Sequence, residues 1–81
     1  MTPSPMNSNP DSLHSAVSET IDGNPDLVQL WLRNEPGSWG ALAGKGVLAY
    51  RRLLDRKLTD LERRQVWALL WERLAGLRHS P

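Results

Sequence analysis

"GSWGALAGKGVLAYRR", Gly37 to Arg52, carries four glycines and a lysine in sixteen positions, and whether it is loop or helix decides the fold. A phosphate-cradling P-loop needs G-x-x-x-x-G-K and then Ser or Thr, whose hydroxyl holds magnesium while backbone amides wrap the phosphates. Here Gly40 precedes Gly44 by four positions instead of five, and Gly46 stands where the hydroxyl belongs. A helix from about 39 to 56 accounts for the stretch better. Ser38 is placed to cap it, and Trp39, Leu42, Ala43, Val47, Tyr50, Leu53 and Leu54 form one stripe, with Gly46 inside it and Lys45, Arg52 and Arg56 opposite. Each glycine costs a helix about 1 kcal/mol against alanine. Gly37, Gly40, Gly44 and Gly46 therefore need a steric reason, and another backbone or an indole ring is expected against Gly40 and Gly44.

The next stretch, "TDLERRQVWALLWERLAGL", opens with a capping box: Thr59 can accept from the third helical amide while Glu62 reaches back to the cap's own amide. Helical spacing then runs through Val66, Trp67, Leu70, Trp71, Leu74 and Leu77, predicting a helix over 60–77. So little chain separates it from the preceding helix that the two should form an antiparallel hairpin. Its core face centres on Trp67, Leu70 and Leu74. Ala68, Trp71 and Ala75 widen the apolar arc, and Leu61 and Leu69 lie farther round.

Upstream, Asn24 as cap, Pro25 at the first helical position and Asp26 in the first turn announce a short helix over about 25–34, stopped by Pro36. Residues 12–23 carry Leu13, Ala16, Val17 and Ile21 at helical spacing and read as a weak helix or a linker. Residues 1–11, with three prolines, read as a disordered tail, and 79–81 as another. The expected architecture is all-α: a bundle of three to four helices dominated by a long antiparallel hairpin, with one helical domain over 24–78.

Composition narrows the function classes. A chain of 81 residues without cysteine has no disulfide framework, thiol nucleophile or thiolate metal site, which fits a cytoplasmic setting. The N-terminus lacks the basic start and apolar run of a signal peptide, and no stretch approaches 18 uncharged apolar residues. The two histidines, His14 and His79, lie near the ends of the chain, and no pair of carboxylates is spaced to face another across a cleft. An enzyme fits poorly, and neither cofactor nor metal is expected.

Four tryptophans and no phenylalanine point instead to a surface that is large, apolar and able to donate hydrogen bonds. The expected partner-binding residues are Trp71, Trp67, Trp39, Gly40, Gly44 and Leu69. They belong to a non-catalytic interaction or regulatory module whose partner is a protein or a second copy of the chain. All four tryptophans could equally build the core.

Charge offers an alternative. Four acids and no Lys or Arg precede Arg33, while ten basic residues stand against five acids from Arg33 onward. Arg56, Lys57, Arg73 and Arg78 suit the negative ends of helices, and Asp60–Arg64 and Arg51–Asp55 have ion-pair spacing. Lys45, Arg52, Arg56 and Arg63 remain candidates for phosphate contacts in a nucleic-acid-binding protein. Arg63, Arg64 and Gln65 are base-reading types in the first turns of a helix, but Asp60 and Glu62 beside them would face the phosphates.

Overall fold

The computed structural model describes residues 10–79, in which every regular element is helical: α1 (Pro10–Gly23), α2 (Pro25–Leu32), α3 (Ser38–Leu54) and α4 (Asp60–Arg78). The chain is a small all-α bundle. The tail expected over 1–11 lies outside the described residues except for Pro10 and Asp11, which begin α1. The glycine-rich stretch is helix, within α3.

Local chemistry sets most boundaries. Pro25 occupies the first turn of α2, where a missing N–H costs nothing. Asn24 precedes it, but its side chain does not cap; Asn24 Nδ2 donates to the Thr20 carbonyl at 2.8 Å and so closes α1. Helix α2 ends two residues before the expected limit. Asn34 (φ 62°) and Gly37 (φ 86°) take left-handed conformations in the turn that follows. Ser38 is the first residue of α3 and not its cap, and its hydroxyl donates to the Glu35 carbonyl at 2.7 Å. At the other end Asp55 turns left-handed (φ 58°), so α3 stops at Leu54, short of Arg56. The capping box of α4 forms as expected: Glu62 N–H donates to Thr59 Oγ1 at 3.1 Å and Thr59 N–H to Glu62 Oε1 at 2.8 Å.

Two apolar clusters fix the packing. Val17, Val28, Trp31, Leu42, Leu70 and Leu74 make one, flanked by Ile21, Leu27, Leu32, Trp39 and Leu69. Ala16, Ala49, Tyr50 and Val66 make the other, flanked by Leu13, Leu54 and Leu58. Early α3 residues thus meet late α4 residues and late ones meet early ones, which makes the α3–α4 pair an antiparallel hairpin. Helix α1 shares the largest interface of the bundle with α3. It is a full helix because Ala16 and Val17 are completely buried there.

The position of α1 also moves the core face of α4. Glu62, Val66, Leu70 and Leu74 are its buried positions, while Trp67, expected near the centre, is 39% exposed at the edge. Gly46 carries the close approach: a Cβ there would lie 3.0 Å from Val66 Cγ1 and 3.5 Å from Leu70 Cδ2. Gly40 and Gly44, expected to be covered, are exposed, and a Cβ on either would meet nothing within 4 Å.

Candidate functional site

Three of the four tryptophans come together where the α2–α3 turn meets the C-terminal half of α4. Trp31, in the last turn of α2, is 5% exposed, so it alone among the four belongs to the buried core. Trp71 on α4 stands perpendicular to it, with ring centroids 5.3 Å apart, and perpendicular also to Trp39 in the first turn of α3, at 5.2 Å. Edge-to-face contacts of this kind contribute about 0.5–1.5 kcal/mol each beyond area burial.

Arg78 completes the arrangement. Its guanidinium carbon lies 4.2 Å from the Trp31 ring centroid, and Nη2 donates to the Trp31 carbonyl at 3.0 Å and to Asn34 Oδ1 at 2.9 Å. The C-terminal turn of α4 is thereby tied to the turn that positions Trp39. The result is a shallow depression of about 300 Å³ walled by Trp31, Pro36, Trp39, Trp71 and Arg78.

Trp71 remains 50% exposed despite its two ring contacts. Among the described residues none of the four indole N–H groups is hydrogen-bonded and no buried side-chain nitrogen or oxygen lacks a partner, so the Trp31 and Trp39 donors open to solvent. Trp39 meets Trp71, and Val47 shares a depression with Arg63. The antiparallel register therefore sets Trp67 between those two pairs, opposite the part of α3 that holds Gly40 and Gly44. Of the six expected contacts, Trp71 and Trp39 touch each other, while Gly40 and Gly44 are exposed with nothing within 4 Å of a Cβ position. Leu69, the sixth expected contact, packs against the core instead. Arg78, which completes the wall, was legible only as a charge suited to a helix end.

The basic residues do not form the expected stripe. Arg56 lies beyond α3, where Nη1 and Nη2 grip the two Glu62 carboxylate oxygens at 2.8 and 2.6 Å. Arg63 pairs with Asp60, one position earlier than the Arg64 expected there. Arg52 lies 4.0 Å from Glu19, and together with Lys45 and Leu48 it lines a depression between α1 and α3. No Arg51–Asp55 ion pair forms.

Glu62 is the one deeply buried carboxylate among the described residues, 4% exposed. The Arg56 guanidinium first, and then the Thr59 N–H, hold its pKa down at about 2. Burial, and next the Glu62 charge, push the Tyr50 hydroxyl above its ordinary value. Arg56, Thr59 and Glu62 are tied to one another and fix the hairpin turn. His14 is exposed with Nδ1 3.3 Å from Arg73 Nη2, and His79 follows the last turn of α4. Among the described residues no three His, Cys, Asp or Glu side chains converge, and no helix is long and apolar enough to cross a membrane.

No protein-family model matches this chain, and neither a curated protein nor a solved structure matches it.

Proposed function

We propose that this chain is a non-catalytic interaction or regulatory module that works through its tryptophan-bearing helical edge, and that a second copy of the chain is its first partner. Trp71 carries this reading. It is held by two perpendicular indoles in one orientation, yet half of it faces solvent. A large aromatic ring fixed before binding loses little conformational entropy when a partner covers it, as residues that dominate interface energies do. Trp67, Leu61 and Leu77 extend the exposed apolar surface of the same helix. A reducing, cytoplasmic compartment is the setting proposed for a chain that uses no cysteine.

Sedimentation at tens of micromolar tests the reading. A dimer or larger species is expected, weakened by Trp71→Glu and by Trp67→Glu. Because Trp71 also touches two core-side rings, Trp67→Glu, which breaks no ring–ring contact, separates an interface effect from a folding effect. A strictly monomeric wild type overturns self-association. The wider proposal fails if both variants also retain every protein captured by the wild type from nuclease-treated lysate.

A further inference from the structure

We propose that the corner where α3 turns into α4 is a binding site for the sugar-phosphate backbone of duplex nucleic acid, engaged without regard to base sequence. The inference does not rest on the tryptophan edge. Residues 51–64 hold six basic and three acidic side chains, a balance of +3, whereas the rest of the chain, with four basic and six acidic, stands at −2. Two open depressions, of about 350 and 200 Å³, adjoin at this corner. The first is lined by Leu48, Arg51, Arg52, Asp55, Arg56 and Lys57; Val47, Leu58 and Arg63 join Arg51 and Lys57 in the second.

What matters is which cations are already neutralised. Arg56 is bound to Glu62, Arg63 to Asp60, and Arg52 lies at the limit of contact with Glu19. Arg51 and Lys57 have no carboxylate within ion-pair distance among the described residues, and they are the two side chains that line both depressions. Asp55 is the one acid on either lining. The positive field is therefore strongest where the depressions meet. Offsetting the C-terminal dipole of α3 calls for about half a charge, less than Arg51 and Arg52 in its last turn already supply.

Shape and composition select the ligand. The larger hollow is open and the smaller holds only about 200 Å³, so the pair suits a backbone crossing the surface better than an enclosed nucleotide. No aromatic ring lines either one, so there is no platform for the base stacking that holds single strands. Guanidinium and ammonium contacts to phosphate position a duplex without reading its sequence. An anionic bilayer is the competing surface, because Leu53 and Leu61 are exposed near the same corner.

Fluorescence anisotropy with a labelled duplex of about 20 base pairs tests the site across about 50–200 mM salt. Neutralising about three phosphates should give a log–log salt slope near −3. The variant R51E/K57E should lose at least tenfold in affinity at about 100 mM salt and flatten the slope by about two. R33E/R73E makes the same change in net charge at positions outside both linings, and it should retain most of the affinity. Three results overturn the proposal: no binding at about 50 mM salt, an equal loss in both variants, or tighter binding to phosphatidylserine vesicles than to duplex with R51E/K57E abolishing the vesicle binding.

Discussion

Gly46 on α3 and Val66 on α4 are packed so closely that a methyl group on Gly46 would stand 3.0 Å from Val66 Cγ1. Val66 is fully buried and its branched side chain has little rotamer freedom, so it cannot turn aside. Gly46→Ala should cost about 1–2 kcal/mol, even though alanine favours the helix by about 1 kcal/mol. Urea unfolding checks this, and Val66→Ala in the Gly46→Ala background should recover part of the loss. A stabilised Gly46→Ala would show that the helices can move apart freely.

Gly40 and Gly44 should behave in the opposite way. With open space at each Cβ position, Gly44→Ala should stabilise the folded chain by about 1 kcal/mol through helix propensity, and Gly40→Ala should do likewise. Thermal unfolding at low concentration measures this. If Gly44→Leu leaves that stability intact while weakening self-association in sedimentation, the open edge of α3 is part of the interface; unchanged association removes it.

Acid should reveal Glu62. Its pKa is lowered to about 2, so the stability it contributes is complete above its ordinary value near 4.5 and is lost as the pH falls through about 2. The wild type should lose stability over that window, and Glu62→Gln should flatten the loss. Glu62→Gln should also cost about 2 kcal/mol at neutral pH, because Arg56 then faces an amide in place of a carboxylate. An unchanged acid profile in the variant would assign the loss to other carboxylates.

Arg78→Ala removes the guanidinium from the Trp31 face and both of its hydrogen bonds, and should destabilise the chain by about 1 kcal/mol. Arg78→Lys should recover only part of this, since an ammonium lacks the planar fork. Full rescue by lysine would reduce the contribution to charge at the end of α4.

Much of the architecture was legible in the sequence because single residues declare it. Pro25 marks the first turn of α2, and Thr59 with Glu62 marks the start of α4. What escaped depends on groups that no local spacing connects. Helix α1 has few large apolar residues, and its helicity comes from burying Ala16 and Val17 against α3. Spacing places Gly46 on a different face from Gly40 and Gly44, but only the arrival of α4 and α1 decides which face is covered. The same packing turns Trp67 outward. The second role of Glu62 was hidden because Arg56 reaches it across a turn, six residues away and outside any helical repeat. Within the candidate site, Trp71, Trp67 and Trp39 were readable as an excess of aromatic surface; their perpendicular contacts and the Arg78 wall were not.

The grip of Arg56 on Glu62 bears on the order in which the molecule assembles. It joins groups six residues apart, so closing that loop costs little chain entropy, whereas α1 reaches α3 only after all of α2 has been laid between them. The hairpin of α3 and α4 is thus the natural folding nucleus, and α1 docks onto it late. In the native state the last element to dock is the first to detach. Backbone amides of α1 should exchange with solvent ahead of those in α3 and α4, and each opening of α1 briefly bares Gly46, Val66 and Leu70 without dismantling the hairpin.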